Sequence, residues 1–158
     1  MPGTRNILGV SGAAALTAAV IHLAPAWVAK LDPVGGSNVS GSSTVTVISP
    51  DSATARITII GAAGGQYPWH VHAGKCGSEG NPLGNPMAYP VLSVQTGKEA
   101  SAAATIGFKP AAGQSYSVNV HRSMTDKSVI ACGNLSNSGV GMSDSLRPTP
   151  PDTAKKPY

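Results

Sequence analysis

The sequence predicts an all-β domain, an antiparallel sandwich or flattened barrel of about seven short strands. Val, Ile, Ala, Ser and Thr dominate its central part, where apolar and polar residues alternate with the period of two that is typical of half-buried strands. Turn residues interrupt these runs, because the 158 residues include 19 Gly and 13 Pro. Charged residues make up only 11% and aromatic residues 4%, which excludes a coiled coil and disfavours a strongly charged disordered chain.

Seven runs carry this alternation, and we predict a strand for each of residues 44–49, 56–60, 67–73, 90–95, 99–108, 115–121 and 128–135. Pro50-Asp51-Ser52 suits a hairpin turn between the first two. The fifth and sixth runs each place an apolar row on one side, which begins at Ala100 and at Tyr116 respectively. The segment from Gly74 to Ala88 is rich in Gly and Pro and predicts a long loop.

The first residues have the pattern of a secretory signal peptide. Arg5 precedes an apolar stretch from Ile7 to Leu23, and Ala24-Pro25-Ala26 supplies small residues for cleavage after Ala26 or Ala29. His22 and the modest hydrophobicity of the stretch disfavour the alternative, an uncleaved anchor helix. We therefore expect a signal peptide over 1–26, a flexible linker rich in Gly and Ser over 27–41, the β domain over 42–135 and a disordered Pro-rich tail over 136–158.

This organisation predicts export to the periplasm or the extracellular space, with no membrane span in the mature chain. In an oxidising compartment Cys76 and Cys132, the only two cysteines, can pair. The alternative is a pair of metal-binding thiolates, although neither cysteine has a second one at CxxC spacing. The net charge of +4 is thinly spread, with no basic run beside aromatic residues, so no nucleic-acid partner is expected. No pattern fixes the oligomeric state.

Three histidines form a candidate metal site. His70 and His72 lie two positions apart on a predicted strand, so both side chains share one face about 6.6 Å apart, while Val71 faces inward. His121 ends a later strand whose alternation also places it on an outer face. The alternative is three solvent-exposed histidines without function. Because Glu79 is the only carboxylate near the pair in sequence, the ligand types favour copper, or a three-histidine zinc site with an open position.

The segments YPWHVHAGKC, SVNVH and VIACGNL, in this order, resemble the copper/zinc superoxide dismutase superfamily over roughly residues 55–135. The resemblance implies an eight-stranded Greek-key sandwich. It also implies that His70, His72 and His121 are copper ligands and that Cys76 and Cys132 form a disulfide within the chain.

Several features of that family are missing from this sequence. Residues 77–90 contain no His and no Asp, so the bridging histidine and the zinc site are absent, and one copper ion without zinc is expected. The arginine that docks the superoxide anion corresponds to Val129. Only ten residues separate His121 from Cys132, so the charged guiding loop is nearly gone. The candidates for guiding an anion in its place are cations near the ligands in sequence: Lys75, Arg122 and Lys127.

The sequence therefore predicts a secreted, copper-binding protein similar to superoxide dismutases, with weak superoxide dismutation and no catalytic residues beyond the metal ligands. Its partners would be superoxide, or a copper donor or acceptor. Two alternatives stay open at this point. One is a non-catalytic copper carrier or buffer, for which Met87 and Met124 offer soft thioether ligands. The other is a metal-free binding module of the cell envelope on the same fold.

Overall fold

The computed structural model describes residues 26–138, which form a curled antiparallel sheet with the shape of a half-barrel. The all-β class predicted from the sequence is confirmed, since strands make up most of the regular structure and no α-helix occurs between residues 26 and 138. The strands are β1 (Ala26–Pro33), β2 (Ser40–Ser49), β3 (Ser52–Ile60), β4 (Gly65–Tyr67), β5 (Trp69–Ala73), β6 (Leu92–Val94), β7 (Ala100–Ile106), β8 (Tyr116–His121), β9 (Val129–Asn134) and β10 (Ser136–Asn137). A short 3-10 turn covers Pro86–Ala88.

The main sheet has the strand order β5-β8-β9-β1-β2-β3-β7, and every neighbouring pair is antiparallel. Strand β9 returns to lie beside β1, so β9-β1-β2-β3 follows the spatial order of a Greek key. Strands β4 and β6 form a separate two-stranded sheet. The two strands that carry the histidines, β5 and β8, are direct neighbours at one end of the main sheet.

The apolar core fills the inner side of the curled sheet. Its largest fully buried side chains come from different strands and the loops beside them, and they include Trp69, Leu31, Ile57, Ile59, Leu92 and Ile106. On β5, Trp69 and Val71 are both 0% exposed. Because strand side chains alternate, His70 and His72 point to the opposite, outer face of the sheet.

The predicted flexible linker over 27–41 is wrong for its first half, where β1 lies in the middle of the main sheet. Trp27, Ala29 and Leu31 are buried, and the residues between them are exposed. This alternation supplies an inner apolar row, while pairing with β2 and β9 satisfies the backbone groups. In place of the expected Gly- and Ser-rich linker, the structure has a short connection with a turn at Gly35 and Gly36, both of which have positive φ. The domain therefore includes residues 26–41, which precede the predicted start at residue 42.

The C-terminal boundary also extends further than predicted, because β10 pairs with Trp27 and Val28 of β1. The predicted signal peptide up to Pro25 and the tail after Ser138 lie outside the described residues. Across residues 26–138, no helix combines the length and the apolar character needed to cross a membrane.

Replacing Trp27 with Ala should lower the free energy of unfolding by about 3–5 kcal/mol, the usual cost of truncating a buried aromatic side chain. Trp27 is 6% exposed, and its ring meets that of Tyr116 edge to face with the centroids 5.5 Å apart. Urea unfolding measures the change. The matched control is Val28→Ala, since Val28 is 37% exposed on the other face of β1, and it should cost less than about 1 kcal/mol. Equal, small effects would contradict a core position for β1.

Candidate metal centre

Three imidazole rings meet on the outer face of β5 and β8. In the ladder between these strands, His70 lies opposite Asn119 and His72 lies opposite Ser117. The backbone N–H of His121, at the end of β8, donates to the carbonyl of Pro68 just before β5, which brings the third ring to the pair. The ring centroids are 5.8 Å apart for His70 and His72, 5.4 Å for His70 and His121, and 6.0 Å for His72 and His121.

Two backbone carbonyls fix the orientation of two of the rings. His72 Nδ1 lies 2.9 Å from the carbonyl oxygen of Gly80, and His121 Nδ1 lies 2.8 Å from that of Lys127. A carbonyl can only accept, so both Nδ1 atoms carry the proton and both Nε2 atoms present a lone pair. The tautomers thus follow from the hydrogen bonds.

The ring nitrogens that face each other are suited to a shared metal ion. One nitrogen from each of His70, His72 and His121 lies within 4.8 Å of the other two. His70 Nδ1 and His72 Nε2 are buried and have no hydrogen-bond partner. A buried polar atom without a partner costs about 1–3 kcal/mol, and coordination of a metal would remove that cost. The group His70 Nδ1, His72 Nε2 and His121 Nε2 can therefore hold a metal ion.

The surroundings of His70 and His121 favour the neutral form of both rings. Burial, together with the charges of His121, His72 and Lys127, lowers the pKa of His70 to about 4. Burial also lowers the pKa of His121, although the hydrogen bond to the Lys127 carbonyl acts in the opposite direction. A neutral imidazole is the form that binds a metal, so the lowered pKa values of His70 and His121 favour metal binding at neutral pH.

The loop after β5 folds back along that strand and covers part of the cluster. The Gly80 N–H donates to the Ala73 carbonyl at 2.7 Å, and the Leu83 N–H donates to the Val71 carbonyl at 2.8 Å. His72 forms an isolated bridge with Pro82. As a result His72 and His121 are only 7% and 8% exposed although they lie on the outer face of the sheet.

Tyr89 is a part of the site that the sequence analysis missed. Its ring packs edge-on against His70 and against Trp69, each with centroids 5.1 Å apart. Its hydroxyl donates to the Leu83 carbonyl at 2.8 Å, and burial raises the pKa of Tyr89 to about 12, so it stays a donor. Its signal in the sequence was its position as an aromatic residue directly after the Gly- and Pro-rich segment that ends at Ala88.

Cys76 and Cys132 form the predicted disulfide, which excludes the metal-binding thiolate pair that the sequence left open. The bridge ties the start of the loop to β9. The backbone N–H of Cys76 adds a second tie, because it donates to Asn134 Oδ1 at 2.9 Å. Asn119, which lies opposite His70 in the ladder, places its side-chain Oδ1 2.8 Å from the Cys132 sulfur.

Glu79 is a carboxylate held beside the disulfide. Partial burial raises its pKa, but hydrogen bonds from the backbone N–H groups of Gly77 and Glu79 and from the Asn119 side chain outweigh burial. The pKa of Glu79 therefore lies below its usual value, and the group is ionised. Its charge acts on His72 and His121, so one negative charge lies near the cluster.

The structure brings one of the three predicted anion-guiding cations to the cluster. Lys127 lines the same cavity as His70, and its charge acts on both His70 and His121. Arg122 instead pairs with Asp126 at 3.1 Å, and Lys75 is exposed at the start of the loop. Val129, at the position that corresponds to the docking arginine, lies opposite His121.

No protein-family model matches this chain, and no curated protein is significantly similar to it.

The metal-free protein should lose stability as the pH falls from about 6.5 to about 4. The pKa of His70 is lowered from 6.5 to about 4 in the folded state, so between these values the unfolded chain binds a proton that the folded chain does not. This stability is fully present above pH 6.5 and is lost on acidification; screening reduces it to about 2 kcal/mol. Urea unfolding in the presence of a chelator measures it. The variant His70→Leu should lose less stability over the same pH range, and an equal loss would contradict the assignment.

Proposed function

We propose that this protein is a secreted copper-binding protein similar to superoxide dismutases, in which His70, His72 and His121 hold one copper ion. The observation that carries the proposal is the convergence of three ring nitrogens, two of them buried without a partner. Three neutral imidazoles suit copper better than calcium, magnesium or manganese, and copper has the highest affinity of the divalent first-row ions for nitrogen ligands. The disulfide is compatible with an oxidising, extracytoplasmic compartment.

A copper ion bound there would supply one-electron redox chemistry. The chain itself provides geometry and electrostatics. The carbonyls of Gly80 and Lys127 hold two rings in the tautomer that leaves Nε2 free. The loop excludes water from His72 and His121, which leaves the side of His70 as the open approach. Lys127 places a positive charge on that side, where an anion such as superoxide would arrive.

We expect superoxide dismutation at this site to be slow. Dismutation converts two superoxide anions and two protons into oxygen and hydrogen peroxide, and its rate depends on how the anion is docked. Val129 offers no charge where the resemblance implies a docking arginine, and the charge of Arg122 is balanced by Asp126. Lys127 binds an anion as a point charge and lacks the two parallel donors of a guanidinium.

The same lack of a docking guanidinium favours a second candidate, a copper carrier or buffer without catalysis. The two candidates share the metal site and differ only in the reaction. Counting the copper bound to the purified protein and following superoxide decay by pulse radiolysis separates them. We expect one copper per chain and a decay faster than in buffer. One copper without faster decay would support the carrier, and no tightly bound copper would refute both and leave a metal-free binding module.

Reversing the charge of Lys127 should slow the reaction with superoxide about fivefold at low ionic strength, with a smaller effect as salt is added. Lys127→Glu turns the attraction for the anion at the cavity beside His70 into repulsion. Lys98→Glu is the matched control, because it makes the same change in net charge in the turn between β6 and β7. If both variants slow the reaction equally, local guidance by Lys127 is wrong.

A further inference from the structure

A cavity of about 360 Å³ opens beside His70, and most of its wall is apolar. Two methionines from different loops contribute to this wall. Met87 lies in the 3-10 turn Pro86–Ala88, and Met124 lies between β8 and β9. They are 88% and 54% exposed, whereas large apolar side chains are usually buried in the core. Packing in the core therefore does not account for either side chain.

The cavity reaches the histidine cluster through His70. The ring of His70 belongs to the cavity wall and also neighbours the rings of His72 and His121. Its Nδ1 is buried without a partner, and Tyr89, another wall residue, packs against the same ring. His72 and His121 are covered by the loop, so His70 is the ligand that a metal ion in the cavity would contact first.

The chemistry of the wall distinguishes between the two oxidation states of copper. Thioether sulfur is a soft, uncharged ligand that selects Cu(I) over the harder Cu(II). Lys127 lines the same cavity, and its positive charge acts on His70. At a given distance it repels a divalent ion twice as strongly as a monovalent one, because the Coulomb energy is proportional to the charge. Only Cu(I) combines the weaker repulsion with favourable sulfur ligands.

We propose that Met87, Met124 and His70 form an uptake site for Cu(I), through which copper reaches the three-histidine site. This inference rests on the proposed copper site. The step is an exchange of ligands without electron transfer: a donor's ligands release Cu(I), the thioethers of the cavity wall bind it, and the imidazoles then replace them. The donor is accordingly a soft Cu(I) complex, either a small chelate or a protein with sulfur ligands.

The test compares the wild type with the double variant Met87→Leu and Met124→Leu, which keeps two exposed apolar side chains and removes both sulfur atoms. The probe is the Cu(I) complex of bicinchoninate under anaerobic conditions, and the loss of its visible absorbance gives the rate and the extent of transfer. We expect the rate to fall about tenfold while the final copper content stays at one per chain, because the imidazole ligands are intact. Loading from the Cu(II) complex of glycine should change less than about twofold. Ile48→Leu changes another exposed apolar residue and should leave both rates unchanged.

The outcomes separate this inference from the proposed function. If the wild type takes up no copper from either probe, the copper site itself is wrong, and the uptake site is wrong with it. If copper binds but the double variant takes up Cu(I) as fast as the wild type, only the uptake site is refuted. An equal slowing of Cu(I) and Cu(II) uptake would also refute it, because the proposed selectivity comes from sulfur. Thermal unfolding of each variant before loading checks that the fold is retained.

Discussion

His70→Leu should abolish tight copper binding and leave the metal-free protein at least as stable as the wild type. The loss of an imidazole ligand should weaken copper binding more than 100-fold, because outer partners of metal ligands alone are worth about 10–100-fold. The stability of the metal-free protein, by contrast, should stay the same or rise. His70 Nδ1 is buried without a partner, which costs about 1–3 kcal/mol, and an apolar side chain of similar size removes that cost.

His72→Ala should also abolish copper binding, but it should destabilise the metal-free protein by about 1–3 kcal/mol. The difference arises because His72 is 7% exposed and its Nδ1 donates to the Gly80 carbonyl. Removing the ring leaves that carbonyl without its donor and a void under the loop. His72 Nε2 is unpartnered as well, so this loss must outweigh the gain from removing that nitrogen. Opposite stability effects would therefore separate His70 from His72, which also holds the loop through the Gly80 carbonyl.

Ser117→Ala is the matched control for both variants. Ser117 lies directly opposite His72, is 0% exposed, and its hydroxyl oxygen has no partner. The substitution alters the same buried face without removing a ligand, so copper affinity should change less than about threefold. Copper titration against a competing chelator and thermal unfolding with EDTA measure the two quantities. Unchanged affinity in His70→Leu would refute the site, and a loss of several kcal/mol would show that His70 is structural.

The contrast between predicted and observed strands shows what local sequence can determine. The alternation in 115–121 and 128–135 predicted β8 and β9 to within one residue at each end, because burial on one face dictates the period of two. The predicted strand 67–73 is divided at Pro68, which has no N–H for a ladder, so Tyr67 belongs to β4 and Trp69 starts β5.

Strand β1 was missed for a different reason. Trp27, Ala29 and Leu31 alternate with polar or exposed residues as clearly as any predicted strand. The preceding apolar stretch and the small residues up to Ala26 suggested a cleavage site, and the Gly and Ser that follow suggested a linker. These residues form a strand because they pair with β2 and β9. The pairing with β9 joins positions that are far apart in the chain, so local sequence does not reveal it.

The candidate site likewise has a part that the sequence could predict and a part that it could not. That His70 and His72 share a face follows from two positions on one strand, and this could be read from the sequence. The carbonyls of Gly80 and Lys127 that orient the rings belong to loops, whose conformation depends on distant contacts. The packing of Tyr89 against His70 depends on the loop as well, so it could not be predicted from spacing.

Opening the disulfide should lower the free energy of unfolding by about 4 kcal/mol, because the bridge closes a loop of more than fifty residues in the unfolded chain. The sequence separation of Cys76 and Cys132 is 56. The double variant Cys76→Ser and Cys132→Ser removes the bridge with little change in size, and urea unfolding measures the loss. Asn134→Ala is the control, because it removes only the hydrogen bond to the Cys76 N–H and should cost about 1 kcal/mol.

The disulfide variant should also bind copper about tenfold more weakly, as expected when an outer partner of a ligand is loosened. Cys76 anchors the loop whose Gly80 carbonyl orients His72, so without the bridge that hydrogen bond is held less firmly. Copper at 100 times its dissociation constant should return about 2.7 kcal/mol of stability to the variant, and a chelator should cancel the gain. If copper affinity is unchanged while stability falls, the bridge supports the fold alone; if both fall together, the loop links the disulfide to the metal ligands.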